Sequence, residues 1–405
     1  MLAAVRGRMM GPIVSFKRAY QQCLAREVQR RSRRCLSVGP EARDLRAMSN
    51  DAFDGSSPAV LSLAGIREAA DRISPHTQVT PVMTCGALNE MSGREVFFKC
   101  ELFQKTGSFK ARGACNAVLL TPPECSCVVT HSSGNHAQAL AWAASVRGIP
   151  AQIVMPRSCM AVKVDAVRGY GASVTLCENS KSSRESTAAD IVSKLPGSSL
   201  IHSSNDARVQ CGEGDVESES TLRKIGTIGL ELVSQVKDLT GGADLDAVIV
   251  TIGGGGLVSG VTTAVKALCP NARIIGAQPE KAADAFMSKQ SGTLCSPAEG
   301  EALPDTIADG LRTSLGTKAW PVVRDSVDEI VTVSEDDIRV WMRVMYERMK
   351  LVIEPSAAVG VAALMSPQVR AMPSEMRKVG VVLCGGNVDV TLLQDLLFVA
   401  SPSSD

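Results

Sequence analysis

A lysine at the predicted start of a helix is the first feature of this sequence that could do covalent chemistry. Lys110 lies in residues 101–114, ELFQKTGSFKARGA, which follow a predicted strand ending near Cys100 and open a helix. The positive end of a helix dipole disfavours an ammonium group, so this position favours the neutral amine that a Schiff-base nucleophile requires. Considered alone, a lysine in this position is more often an ordinary exposed helix lysine.

Three other segments place polar groups or glycines directly after predicted strands. Residues 130–136, THSSGNH, offer backbone amides and hydroxyls that can hold a carboxylate, although helix capping by Ser and Asn is the structural alternative. Residues 252–257, IGGGGL, offer bare amides that can cradle a phosphate, with a flexible linker as the alternative. Residues 384–389, CGGNVD, follow a fourth strand. Four such segments at strand ends together predict one shared site.

The elements that must position these segments alternate between helix and strand. Apolar runs rich in β-branched residues predict strands at 96–98, 128–130, 152–155, 173–176, 247–251, 273–277 and 379–383. Helical patterns are found at 60–73, 137–144, 186–195, 227–236 and 258–268. Nearly continuous apolar strands between helices are typical of parallel sheets covered on both faces. The sequence therefore predicts an α/β fold of two doubly wound units, with ligands at the carboxyl ends of the strands.

Composition excludes several classes of protein. The chain has 405 residues and is 45% hydrophobic, which is enough for two or three compact units. No stretch approaches the roughly 18 apolar residues that a membrane span needs, so no membrane association is expected. The 13 cysteines are odd in number and lack a CxxC spacing, which indicates a reducing compartment. With only four histidines, a multi-histidine metal centre is not expected either.

The formal net charge of +1 conceals an uneven distribution. Residues 1–50 hold 11 Lys and Arg against three Asp and Glu, whereas the remainder holds 32 against 39. We interpret residues 1–55 as an Arg-rich transit leader for a mitochondrion or another organelle. The alternative is a basic tail with translation starting near Met48, which would leave the protein cytoplasmic. A nucleic-acid-binding arm is disfavoured because no recognisable binding module follows.

Residues 56–400 form the predicted catalytic region, 212–226 a polar insert and 401–405 a tail.

The four segments resemble those of the fold type II pyridoxal phosphate (PLP) enzymes, specifically the serine racemase and serine/threonine dehydratase family. The similarity extends from about Leu61 to beyond Asp389 and includes residues 304–310 (PDTIADG) and 347–360 (ERMKLVIEPSAAVG). The runs ELFQKTGSFKARGA, HSSGNH, ERMKLVIEP and GGNVD resemble serine racemases more than generic dehydratases. The resemblance implies a tryptophan synthase β-like fold of two open-sheet domains with PLP in the cleft between them. It also implies that a smaller domain, roughly residues 100–200, is nested within a larger one, and that the protein is a homodimer.

The resemblance also implies roles for individual residues. Lys110 matches the Schiff-base lysine, which is the base on one face of the cofactor, and Ser133 matches the serine on the opposite face. The other implied cofactor-binding residues are Phe109, Asn135, Gly253, Gly254, Gly255, Gly256, Gly310, Glu354 and Cys384. Ser132, His136 and Arg184 match the residues that receive the polar groups of the substrate. In several relatives Cys384 is replaced by Ser or Thr.

These roles imply a PLP-dependent enzyme that interconverts L- and D-serine and also eliminates serine to pyruvate and ammonia, since acid/base groups on both faces permit either outcome. One alternative is an L-serine/L-threonine dehydratase without significant racemase activity. Another is a non-catalytic paralogue that keeps the fold as a regulatory module.

Two further ligands are implied by the family. Its Mg²⁺ or Ca²⁺ site corresponds here to Gln278, Ala282 and Asp284; Gln278 replaces a charged ligand, so a cation should bind weakly if at all. ATP, an effector of the animal enzymes, would contact a set of polar residues, with ordinary surface or interface residues as the alternative. That set is Lys105, Thr106, Lys163, Arg348, Lys350 and Asn387. The polar insert could alter a loop near the site or be an artefact of the gene model.

Overall fold

The structure is a computed structural model that describes residues 63–159, 161–203, 206, 208–209, 227–295 and 303–397. The predicted leader at 1–55, the insert at 212–226 and the tail at 401–405 lie outside these residues. None of the described helices is long and apolar enough to cross a membrane.

The larger of two sheets has six strands in the order β1-β2-β10-β7-β8-β9. Its strands are β1 Val82–Met83, β2 Glu95–Cys100, β7 Ala247–Thr251, β8 Arg273–Pro279, β9 Glu329–Val333 and β10 Lys378–Leu383. All pairs are parallel except β1 with β2. The last strand in sequence, β10, thus lies between β2 and β7, and its carboxyl end emerges beside theirs.

The smaller sheet has four parallel strands in the order β5-β4-β3-β6. Its strands are β3 Cys127–His131, β4 Ala151–Pro156, β5 Ser173–Cys177 and β6 Ser198–Leu200. All four come between β2 and β7 in sequence, so the small sheet is inserted into the large one. Two open parallel sheets agree with the predicted fold class, while the boundaries of the nested domains stay a prediction.

Fourteen helices are found within the described residues. They are α1 Leu63–Ile73, α2 Gly86–Ser92, α3 Lys110–Leu119, α4 Asn135–Arg147, α5 Ala161–Gly169, α6 Lys181–Lys194, α7 Ile228–Thr240, α8 Gly256–Leu268, α9 Asp284–Ser291, α10 Trp320–Ser326, α11 Glu335–Met349, α12 Pro355–Met365, α13 Pro367–Arg370 and α14 Leu393–Leu397. All seven predicted strands are present. The sequence analysis missed β1, which has two residues, β6, which has the polar sequence SSL, and the edge strand β9.

The core explains the apolar strands on which the fold prediction depended. Every residue of β7 is buried, and so is every residue of α12, which packs against β7 and β10. A strand covered by helices on both faces has no exposed side to carry polar residues, so its sequence is continuously apolar. The core therefore fixes the positions of the strand ends from which the predicted site is built.

A buried network of charges anchors α3, the helix that begins with Lys110. Arg112 is fully buried and binds Glu101 through Nε at 2.8 Å and Glu231 through Nη1 at 2.7 Å. Lys99 donates to the same Glu231. Burial is the largest single effect and would raise the pKa of Glu101, but the charges of Arg112 and Lys99 and the hydrogen bonds from Arg112 and Thr80 together lower that pKa. The network ties the end of β2, α7 and the start of α3 together.

Candidate active site

The four glycines after β7 form a cradle of free backbone amides. Gly253–Gly256 are all buried, and within the described residues no oxygen accepts a hydrogen bond from their N–H groups. Gly255 has φ +89°, and a Cβ there would lie 2.4 Å from Cβ of Ala319. Only glycine fits this conformation and this space. Because α8 begins at Gly256, the amides point from the positive end of a helix, where anions bind.

Lys110 is the first residue of α3, as predicted. Its Nζ donates a 2.8 Å hydrogen bond to the backbone carbonyl of Ser203 and lies 4.6 Å from the centroid of the Phe109 ring. The backbone N–H of Phe109 donates to the carbonyl of Cys384 at 3.0 Å, which joins the start of α3 to the end of β10. Lys110 is therefore held at the carboxyl edge of the large sheet.

Asn135, Glu354 and Asn387 form a hydrogen-bonded chain across three of the segments. Asn135 Nδ2 donates to both carboxylate oxygens of Glu354, each at 3.0 Å, and Asn387 Nδ2 donates to Asn135 Oδ1 at 2.9 Å. Asn387 also donates to the carbonyl of Thr106 at 2.7 Å. The structure thus brings the segments at 101–114, 130–136, 347–360 and 384–389 into contact.

Glycine is required at positions 310 and 385, because the side chains of Ser356 and Glu354 approach the backbone closely there. A Cβ on Gly310 would lie 2.8 Å from Ser356 Oγ, the atom that accepts the Gly310 N–H at 3.0 Å. A Cβ on Gly385 would lie 2.9 Å from the Glu354 carboxylate. Gly310 also meets the cradle, since a Cβ on Gly253 would lie 3.2 Å from the Gly310 carbonyl. The predicted positions Gly253, Gly310 and Glu354 are therefore neighbours.

Glu354 and Cys384 are both buried and favour their protonated forms. Burial, and then the charge of Asp309, raise the pKa of Glu354 to about 7. Burial, and then Glu354, raise the pKa of the Cys384 thiol far above its usual value, and this thiol lies 3.8 Å from Glu354 Oε1. Cys384 therefore stays a neutral thiol.

We expect Glu354 to make the stability of the apoenzyme fall as pH rises from about 4.5 to 7. In that window the folded protein keeps a proton that the unfolded chain has already released. The free energy of unfolding above pH 7 is therefore lower by about 3 kcal/mol than it is below pH 4.5. Glu354→Gln should remove this fall, measured by urea unfolding at several pH values. In the exposed control Glu347→Gln the fall should remain; a fall that persists in Glu354→Gln would refute the assignment.

The segment between β3 and α4 holds the predicted acid and substrate residues. Ser132 and Ser133 are half-buried; the Ser132 N–H donates to the Val154 carbonyl at 3.1 Å, and the Ser133 carbonyl accepts from Cys159 Sγ at 3.8 Å. His136 is buried, and neither ring nitrogen meets a hydrogen-bond partner among the described residues. Burial, and then the charge of Lys110, lower its pKa well below its usual value. His136 is therefore a neutral imidazole.

Several predicted site residues make no contact with Asn135, Glu354 or Asn387 within the described part of the chain. The hydrogen bonds of Arg184 lead to the Ser180 carbonyl at the start of its own helix. Arg348 and Lys350 are exposed at the end of α11, and the Lys350 ammonium donates to the Glu347 carbonyl. Lys105 is half-buried beside Thr106. Of the predicted nucleotide residues, only Thr106 and Asn387 bond to each other.

The predicted cation residues form a hydrogen bond with one another. Gln278 Nε2 donates to Asp284 Oδ1 at 2.9 Å, and Ala282 is buried in the turn between them. Among the described residues, no group of three His, Cys, Asp or Glu could hold a metal ion. These residues therefore fit a divalent cation poorly.

The sequence analysis did not single out Asp309 and Ser203. Asp309 binds Lys163 at 2.6 Å and lies close enough to Glu354 to raise its pKa. Its position beside Gly310 in PDTIADG is a signal that could have identified it. Ser203 acts through its backbone carbonyl, and because every residue has a carbonyl, no sequence signal could have found it.

The observed donor set fits the PLP that the resemblance implies. A phosphate needs N–H donors without protein partners, and Gly253–Gly256 supply them at a helix start. An amine that can bond covalently to an aldehyde is held at the same sheet edge by Lys110.

Comparison with known proteins agrees with this fit. Residues 73–385 match the family model described as pyridoxal-phosphate dependent enzyme. A serine racemase of Arabidopsis thaliana is 47% identical over 82% of this chain and 95% of its own length. The structure of maize serine racemase is 41% identical, with a TM-score of 0.75, and covers 83% of this chain and 96% of its own. A threonine deaminase from T.th. is 38% identical, with a TM-score of 0.73 and coverage of 81% and 99%. The chain therefore belongs to the pyridoxal-phosphate-dependent enzymes, in the serine racemase and serine/threonine dehydratase family.

Proposed function

We propose that this enzyme is a serine racemase that interconverts L- and D-serine and also eliminates serine to pyruvate and ammonia. One observation carries the proposal: two groups that can move protons belong to neighbouring elements. Lys110 begins α3, Ser133 precedes α4, and these two helices pack against each other. The charge of Lys110 also reaches His136 in the first turn of α4. The identity of 47% to a serine racemase supports the same substrate.

The proposed mechanism assigns one proton to each face of the substrate. PLP, when bound, supplies the electron sink that makes the proton on the substrate α-carbon removable. Lys110 Nζ takes that proton from L-serine on one face, and the Ser133 hydroxyl delivers a proton on the other. The same two groups exchange tasks when D-serine is the substrate.

The remaining residues of the proposal bind and orient. The Gly253–Gly256 amides would hold the phosphate, and Asn135, whose side chain is positioned by Glu354, would bond to the oxygen on the cofactor ring. Neutral His136, together with Ser132 and Arg184, receives the polar groups of the amino acid. Because the Cys384 thiol is neutral, it would leave the pyridine nitrogen of the cofactor unprotonated, which would moderate the electron sink.

A serine/threonine dehydratase is the second candidate, since a threonine deaminase matches the fold nearly as well as a serine racemase does. We expect the purified protein with PLP and L-serine to form both D-serine and pyruvate, each quantified over time. L-threonine is assayed in parallel for its keto acid. Keto acid without D-serine would refute the racemase proposal and establish the dehydratase.

The proposal extends to a homodimer and to ATP as an effector. The charges that support a nucleotide site are those of Lys105, Lys163, Arg348 and Lys350, and Thr106 and Asn387 add polar groups. Light scattering coupled to gel filtration tests the dimer, and the product assay with and without ATP tests the effector. A Mg²⁺ or Ca²⁺ effect is examined in the same assay, although Gln278 disfavours it.

The proposed destination is a mitochondrion or another organelle, because residues 1–50 combine 11 basic with three acidic residues. A fluorescent fusion of residues 1–55 should accumulate in an organelle. Diffuse cytosolic fluorescence would favour translation from near Met48.

A further inference from the structure

Every oxygen of the Asp284 carboxylate has a hydrogen-bond donor in this structure. Asp284 begins α9, and its Oδ1 accepts from Gln278 Nε2 at 2.9 Å. Its Oδ2 accepts from the backbone N–H of Leu315 at 2.6 Å. A carboxylate with both oxygens bound in this way is satisfied without a metal ion.

The amide of Gln278 is equally satisfied, and its partners fix its orientation. Gln278 is fully buried near the end of β8. Besides Asp284, Nε2 donates to the Ile252 carbonyl at 3.2 Å, and Oε1 accepts from the Phe286 N–H at 3.0 Å. Two acceptors on one side and one donor on the other leave only one arrangement of the amide nitrogen and oxygen.

These bonds converge on the glycine cradle. Ile252 directly precedes Gly253, so Gln278 holds the entrance to the cradle. Leu315 packs against its other side, since a Cβ on Gly255 would lie 2.6 Å from Leu315 Cδ1. The next residue, Gly316, donates to the Gly254 carbonyl at 3.1 Å. The Gln278–Asp284 pair thus links β8, α9 and the 312–319 segment to the cradle.

A divalent cation does not fit between these groups. Mg²⁺ and Ca²⁺ require several oxygen ligands, and carboxylates provide most of their affinity. Here the Asp284 carboxylate, which would ligate a cation, faces an NH₂ group whose hydrogens carry partial positive charge. The described residues contain no cluster of three metal-ligating side chains.

We propose that the Gln278 amide takes the place of a divalent cation in this chain. It bridges Asp284 and the Ile252 carbonyl by hydrogen bonds, so the start of α9 is tied to the cradle without a cation. The glycine cradle is consequently held together without metal. This inference concerns the cradle alone and does not depend on whether the enzyme is a racemase or a dehydratase.

The first test removes metal from the full-length protein. Holoenzyme and apoenzyme are dialysed against EDTA and then given MgCl₂, CaCl₂ or MnCl₂, and the Tm is followed by differential scanning calorimetry. We expect the Tm to be the same under all conditions. Electron paramagnetic resonance should show that the protein binds no stoichiometric amount of the added Mn²⁺. A Tm that falls in EDTA and recovers with a cation would overturn the proposal, as would Mn²⁺ binding that Asp284→Asn abolishes.

The second test restores a cation site by a single substitution. Gln278→Glu places a second carboxylate against Asp284, so its Tm should fall in EDTA and recover with Ca²⁺ or Mn²⁺, with one Mn²⁺ bound per chain. The matched control, Gln278→Glu with Asp284→Asn, exchanges the amide and the carboxylate and should not respond to cations. If folded Gln278→Glu gains no cation response, the amide does not occupy a cation position and the proposal is wrong. If Gln278→Glu does not fold, the wild-type measurements decide.

Discussion

Lys110→Ala is expected to lower both D-serine and pyruvate formation by at least about 10³-fold, because it removes the group proposed both to bind PLP covalently and to take the substrate proton. The visible absorption band of lysine-bound PLP should disappear from the variant. Borohydride reduction of the wild-type enzyme followed by mass spectrometry should locate PLP on the peptide that contains Lys110. Circular dichroism checks that the variant is folded.

The matched control for this change is Lys194→Ala, an exposed lysine of α6 that is paired with Asp190. Its absorption band and its activity should equal those of the wild type. PLP found on another lysine would refute the assignment. A wild-type protein that shows neither the band nor any product would favour the non-catalytic paralogue.

Ser133→Ala is expected to separate the two reactions. Racemisation of L-serine needs a proton delivered on the face opposite Lys110, so D-serine formation should fall by about 10²-fold or more. Pyruvate formation should fall much less, because removal of the α-proton by Lys110 does not use the Ser133 hydroxyl. Both products are measured in the same reaction mixture, so the ratio of D-serine to pyruvate is independent of enzyme concentration.

Ser132→Ala is the control for that separation, because Ser132 is the adjacent serine and is proposed only to bind substrate. Both products should decrease together and the KM for L-serine should rise, with little change in the product ratio. An equal loss of D-serine and pyruvate in Ser133→Ala would contradict the two-face mechanism and place Ser133 among the binding residues.

The overall fold could be predicted because the buried strands have apolar sequences that are easily recognised. The runs at 247–251 and 379–383 are continuously apolar, and both are found as central strands, β7 and β10. The polar and glycine-rich segments were predicted to meet. Asn135, Glu354 and Asn387 join 130–136, 347–360 and 384–389, and Gly310 links the glycine cradle to Ser356. Strand ends in a parallel sheet share one edge, so this outcome follows from the fold class.

Other parts of the site depend on pairing that the sequence does not reveal. Whether Gln278 faces Asp284 is decided by the turn between β8 and α9, and not by either residue type. The bond from Lys110 to the Ser203 carbonyl likewise depends on where the chain runs after β6. Short or polar elements such as β6 carry too little apolar pattern to be recognised, since their stability comes from neighbouring strands.

The position of β10 in the large sheet has a consequence for how the chain folds. Residues 378–383 pair with β2 at 95–100 and with β7, so the centre of the sheet closes only after nearly the whole polypeptide has been made. Until then β2 and β7 both present unpaired edges that can associate with other chains. Contacts so distant in sequence fold slowly. Nascent chains of this protein should therefore depend on chaperones, and a truncation before residue 378 would remove a central strand.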